Sequence, residues 1–283
     1  MSSQNAFDSR RVRERFNRAA DDYDRHAAVQ QEVGRRLDER FGWLKLDPEH
    51  ILDLGAGTGQ MVRAMRERYP GSTVIGLDLA EAMLRRLPRA AWWSRRRLAL
   101  AADMHALPVA GGTLDVVVSN FALQWSDRPP ELFGEVARVL ASGGVFSFAT
   151  LGPDSLQEVR RAWNEVDAAP HVHDFPDMHD IGDALVGAML ADPVMDRETI
   201  TVTYPDVDTL LGDLRGVGVG NTQRGRSSGM TGPGAWRRFR EALEAQAVDG
   251  RIHLTYEIVY GLAWGTGVSP VAGASPTHGV CGL

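Results

Sequence analysis

The sequence predicts an α/β fold: a doubly wound, mostly parallel, seven-stranded sheet with a helical cover over one crevice. Three observations carry this. The apolar run Ile51-Leu52-Asp53-Leu54 leads into glycines at alternate positions, Gly55, Gly57 and Gly59. Short apolar runs then alternate with helical patterns as far as residue 150, which implies parallel strands joined by right-handed crossovers. Finally, Asp53, Asp78, Asp103 and Asn120 all fall at or near the ends of those runs, where open sheets of this kind bind their ligands.

Residues 10–40 read as one helix, because Val12, Phe16, Ala19, Tyr23, Ala27 and Val33 recur near a 3.6-residue period. Pro48 separates it from a strand over 50–54. A helix over 60–69 stops at Pro70-Gly71, a strong breaker pair. A strand over 73–77 ends in Asp78, a helix over 80–87 is followed by Pro88, and a strand over 98–102 ends in Asp103. A strand over 114–119, a helix over 129–140 closed by Ser142-Gly143-Gly144, and a strand over 145–150 complete this half. The remainder is less regular. It holds a helix over 155–166, a His/Asp/Pro loop, a helix ending at Leu190, and a strand over 198–204 with Ile200, Val202 and Tyr204 alternating. A helical stretch broken at Gly216 to Gly220 then precedes a strand over 254–264. We expect a single domain over 1–264, with a ligand-binding core at 48–151 and a cover drawn from 8–40 and 205–250. Residues 265–283 lack apolar periodicity and are expected to be disordered.

The 283-residue chain is 43% hydrophobic and 24% charged, ordinary for a soluble globular protein. Its net charge of −6 gives no electrostatic case for nucleic acid. No apolar run approaches the ~18 residues of a membrane span, and the charged N-terminus has no signal-like core. The one cysteine, Cys281, excludes an internal disulfide or a cysteine-based metal cluster, and the expected compartment is the cytoplasm. His171, His173 and His179 with Asp174 and Asp177 match no standard metal spacing. A polar loop is the simpler reading, and no metal is expected.

Glycines at a strand-to-helix turn let backbone approach a ligand. The dinucleotide fingerprint Gly-x-Gly-x-x-Gly is not met, because its third glycine position falls on Gln60 and Gly59 sits one place early. Asp53 would repel a pyrophosphate and attract an ammonium or sulfonium. The ligand is therefore expected to be cationic, with S-adenosylmethionine the obvious candidate. Asp78 is placed to take ribose hydroxyls or to cap the following helix. Asp103 can accept from an adenine amino group while Met104 lies against the ring. Asn120 and Phe121 follow the fourth strand and form the floor beside the reactive methyl. Ala56, Leu79 and Met83 are expected among the cofactor contacts. Trp125 is either part of that site or core packing.

This set of residues resembles the class I S-adenosylmethionine-dependent methyltransferases, whose glycine motif, ribose acid and adenine motif are matched by Asp53/Gly55/Gly57/Gly59, Asp78 and Asp103. A narrower resemblance spans 11–264. Phe16-Asn-Arg-Ala-Ala-Asp-Asp-Tyr23-Asp-Arg-His26, Ser119-Asn-Phe-Ala-Leu-Gln-Trp125, the Leu214-Arg-Gly-Val-Gly run to Gly225-Arg226 and the closing Leu254-Thr-Tyr-Glu-Ile resemble the malonyl-[acyl-carrier protein] O-methyltransferases of biotin synthesis. The resemblance implies a Rossmann-like fold, S-adenosylmethionine as donor and the free carboxylate of a malonyl thioester on acyl-carrier protein as acceptor. A carboxylate is ionised at neutral pH, so no general base is required. One oxygen needs placing and the other needs a grip, for which an arginine fork is suited. Tyr23, Arg215 and Arg226 are the candidates. Two other activities compete on the same fold: methylation of small polycarboxylates such as trans-aconitate, and a complex I assembly-factor-like arginine hydroxylase. A non-catalytic scaffold is the third alternative.

Overall fold

The computed structural model describes residues 8–88, 98–167, 169, 171–218 and 232–267. Arg226, the Arg95-Arg96-Arg97 run, the far end of the 216–220 glycine break and the tail from 268 lie outside the described residues.

The strands are β1 (His50–Leu54), β2 (Thr73–Asp78), β3 (Ala99–Ala101), β4 (Leu114–Asn120), β5 (Leu140–Leu151), β6 (Leu190–Tyr204) and β7 (Ile252–Gly265). They form one sheet in the order β3-β2-β1-β4-β5-β7-β6. The first five are parallel, and β7 runs antiparallel between β5 and β6. β1 buries every residue but His50, as a strand covered on both faces must. The chain winds outward in opposite directions from β1 and β4, so their carboxyl ends flank the switch point where a crevice opens.

The helices are α1 (Ser9–Ala19), α2 (Tyr23–His26), α3 (Ala28–Phe41), α4 (Gln60–Arg68), α5 (Glu81–Leu84), α6 (Pro129–Val139), α7 (Gln157–Asn164), α8 (Met178–Gly187), α9 (Val207–Gly216) and α10 (Pro233–Glu244). One face of the sheet packs Leu37, Met65, Leu210 and Phe239 from α3, α4, α9 and α10. The other packs Phe133 of α6 and Leu185 of α8 on Phe146 and Phe148.

Several expected boundaries are corrected. The single helix over 10–40 is three helices. Asp8 caps α1 through the Arg10 and Arg11 amides. The helix ends before Asp21-Asp22, since carboxylates at a helix C-terminus oppose its dipole. The break lets α1 and α2 fold over the crevice while α3 stays anchored by buried Val33, Leu37 and Phe41. The helix over 80–87 is reduced to the single turn α5. Ser142-Gly143-Gly144 does not close a helix but lies inside β5, with Gly143 at φ +77° beside a register shift opposite Leu114 and Val116. β6 begins at Leu190 instead of 198. A bulge at Asp192 (φ +47°) hides its alternation, because the register shifts between Ala191 and Val194. α7 and α8 are shorter than expected, bounded by Leu156 (φ +58°) and Met189 (φ +63°) in left-handed conformations. Among the described residues, no helix is long and apolar enough to cross a membrane.

Candidate functional site

The turn after β1 is held by its own amides. Gly55 and Ala56 donate to the Leu77 carbonyl at 2.8 and 2.9 Å, and Gly57 donates to Asp78 Oδ2 at 2.9 Å. Gly55 sits at φ +78°, and a Cβ there would collide with Ala122 after β4. At Gly57 (φ +53°) a Cβ would meet nothing within 4 Å, because that side of the turn faces the open crevice. Asp53 reaches past the turn and accepts from the Val62 amide in the first turn of α4 at 3.0 Å, where the helix dipole favours a carboxylate.

The crevice has two lobes joined by Tyr23, Gly55, Gly57 and Asn120. The larger is polar and is faced by Asp53, Ala56, Thr58, Gln30, Gln60 and Arg63. The other is mainly apolar. Asp78, Leu79, Met83, Asp103 and Met104 line it, with Phe121 and Trp125 at the β4 end. A ligand with a zwitterionic amino-acid end and a nucleoside end matches this division, and its middle then lies between Tyr23 and Asn120. Two details strengthen the match. Asn120 donates through Nδ2 to the Gln30 carbonyl at 2.9 Å, yet its buried Oδ1 has no partner among the described residues. Such an acceptor costs stability unless a donor arrives. Phe121 adopts φ +53° and donates its amide to Ala149 at 2.9 Å, which fixes the floor.

The electrostatics of this pocket suit a cation. Burial, with the nearby Asp78 charge adding to it, pushes the Asp53 carboxyl up to about 8 despite the Val62 bond. Burial also raises Asp78, although the Ala80 and Gly57 amides pull it back. Its bond to the Ala80 amide (2.7 Å) makes it a local cap as well, so the capping reading holds in part. Burial raises the Tyr23 phenol well above its usual range, and the charges of Asp78 and Asp24 push the same way. At Asp103 burial is outweighed: the His105 amide and ring, with the Arg128 charge, hold the carboxyl below its ordinary value. His105 Nδ1 lies 2.7 Å from Asp103 and its Nε2 faces the Ser126 hydroxyl at 2.8 Å.

Some expected residues are not brought here. Gly59 (φ +93°) caps α4 against Leu87 and Pro88 and does not line either lobe. Arg215 is exposed in the last turn of α9 and is not a lining residue. Of the loop histidines, His171 stacks on Trp163 and His173 packs edge-on against Trp125. Sequence reasoning missed Phe16, which meets Trp125 edge-on at 5.4 Å and Tyr23 at 6.4 Å, completing an aromatic roof. No local signal gives this contact, since Phe16 and Tyr23 lie on separate helices. Gln30, Gln60, Arg63 and His105 carried none.

Residues 52–148 match the family described as "Methyltransferase domain". A solved putative methyltransferase from Bacillus halodurans superposes with a TM-score of 0.56 at 15% identity, over 81% of this chain and 97% of that one. The fold is thus the Rossmann-like fold of class I methyltransferases. A malonyl-[acyl-carrier protein] O-methyltransferase from Gallionella capsiferriformans is 46% identical over 263 residues, 91% of each chain. One from Laribacter hongkongensis is 44% identical over 93% of this chain and 91% of its own. The chain belongs to the malonyl-[acyl-carrier protein] O-methyltransferases.

Proposed function

We infer that the protein methylates the free carboxylate of a malonyl thioester carried on acyl-carrier protein, with S-adenosylmethionine as donor, in biotin synthesis. The observation that carries the donor is the two-lobed crevice, with buried carboxylates at Asp53 and Asp78 and an orphaned acceptor at Asn120. The acceptor rests on family membership, since relatives of this name match nine-tenths of the chain. The same membership disfavours the small-polycarboxylate and arginine-hydroxylase alternatives. A cytoplasmic location agrees with a donor and a substrate of these kinds.

In this reading Asp78 takes the ribose hydroxyls and Asp103 the adenine amino group. Asp53 and Asn120 Oδ1 receive the ammonium, while Arg63 faces the methionine carboxylate. S-adenosylmethionine supplies a sulfonium-borne methyl to an anionic oxygen, a transfer in which opposite charges vanish. Phe16, Tyr23 and Trp125 act by excluding water above that point, which favours a path of diminishing charge. Tyr23 stays protonated, because its phenol is raised far above neutrality. It can therefore donate a hydrogen bond to the non-attacking oxygen without itself competing for the methyl. Arg226 remains a proposed second grip on the acceptor.

Labelled S-adenosylmethionine offered with malonyl-carrier protein, a small malonyl thioester or trans-aconitate tests the reaction. Methyl ester on the malonyl acceptors is the expected product; transfer to aconitate alone would overturn the assignment. Tyr23→Phe should lower kcat/KM for the malonyl acceptor about tenfold, the worth of one hydrogen bond to a charged group. Its cofactor affinity should stay within about twofold, measured by calorimetry.

A further inference from the structure

The protein carries a net charge of −6, yet α1 (Ser9–Ala19) holds five arginines against one glutamate. The inner stripe of this helix is occupied: Val12 is buried, and Ser9, Val12 and Phe16 line the nucleoside lobe. The arginines point elsewhere. The side chains of Arg10 and Arg18 are 79% and 77% exposed, and Arg11 and Arg13 are exposed as well. The local acids do not neutralise Arg10, Arg11, Arg13 and Arg18. Glu14 is shared between Arg10 and Arg18, Asp8 serves Arg11, and Arg13 makes no ion pair among the described residues. The helix is fixed in place by Asn17, which accepts from the Ala82 amide of α5 at 2.9 Å, and by the Arg86–Asp21 pair just beyond it.

We propose that the outer face of α1 is the docking surface for the carrier protein that presents the malonyl thioester. The proposal rests on the function argued above and adds the place where the partner sits. Acyl carriers are acidic, and a basic strip on an otherwise acidic enzyme both attracts such a partner and orients it, because the remaining surface repels it. Position supports the same surface. The inner side of α1 roofs the nucleoside lobe, so a carrier on its outer side is separated from the crevice by about one helix diameter, ~10 Å. The flexible arm of a tethered thioester spans that gap. Other helices carry arginines too, and of these α10, with Arg237, Arg238 and Arg240, is a weaker match. Arg240 is held by Asp208, Arg237 lies against Glu241, and Asp206 stands close by.

The test compares two acceptors: malonyl-carrier protein and malonyl-N-acetylcysteamine, which has the thioester but no protein. Arg10→Gln/Arg13→Gln/Arg18→Gln should raise KM for the carrier about tenfold and flatten its salt dependence. The kcat/KM for the small thioester and the cofactor Kd should stay within about twofold, which shows that the roof is intact. Arg237→Gln/Arg238→Gln, made in parallel, should leave both acceptors unchanged. Equal loss on both acceptors in the α1 variant, no loss on either, or a carrier-specific loss in the α10 variant instead would each overturn the docking surface. Failure of the wild type on both acceptors is a different result, and it would remove the functional reading itself.

Discussion

Asp78→Ala is expected to weaken S-adenosylmethionine binding by about 3 kcal/mol, roughly a hundredfold, because three interactions end at one carboxylate. Two are visible in the fold: the Gly57 amide at 2.9 Å and the Ala80 amide at 2.7 Å. The third is the proposed bond to the ribose. Alanine removes all three, leaves Gly57 without its acceptor and lets the glycine turn relax away from the ligand. Asp78→Asn separates these contributions. Its one oxygen can still take a backbone amide, while its amino group opposes the other, so an intermediate loss is expected. Calorimetry with S-adenosylhomocysteine reads the effect without catalysis. An unchanged Kd in Asp78→Ala would show that the nucleoside lies elsewhere.

A comparably large effect is expected from pH. Burial holds a proton on Asp53 up to about pH 8, whereas the proposed ammonium requires the ionised form. Below pH 8 binding must expel that proton, so Kd should fall by about one decade per pH unit as pH rises, then level off. Between pH 6 and 8 the gain is about fiftyfold. Asp53→Asn cannot titrate, and its Kd should be weak and flat over that range. A slope that survives in Asp53→Asn would assign the proton to another group. The same shift fixes the sign for stability. The folded state binds the proton between the ordinary value of 3.8 and about 8, while the unfolded chain does not. This contribution is therefore full below 3.8 and is lost as pH climbs toward 8. Thermal unfolding of the cofactor-free protein should show Tm falling across that window, and added cofactor should reduce the fall.

Much of the site was legible before the fold was known. Residues 50–59 disclose a strand, a turn and a helix start, because three alternate glycines are needed where three successive alternate positions take positive φ. Asp78 and Asp103 were found as acids at the ends of apolar runs, and both line the crevice. Gly59 was grouped with them from spacing alone. Its glycine answers to Leu87 and Pro88, contacts that no local pattern contains. The strands β5 and β6 were truncated because Gly143 and Asp192 interrupt the alternation, although the ladder resumes beyond each with a shifted register.

The sequence by itself determined the parallel core, the switch point and the acids that face it, because strand ends and tight turns are encoded within a few residues. Only the tertiary structure decided that Phe16 and Tyr23 meet Trp125 in one roof, that Asn120 leaves a buried oxygen open, and that Asp53 keeps its proton near neutrality. Each depends on segments a hundred or so residues apart arriving in one place, or on how deeply a group is removed from water. Neither the path of the chain nor the local solvation of a carboxylate is written in the periodicity of any single element.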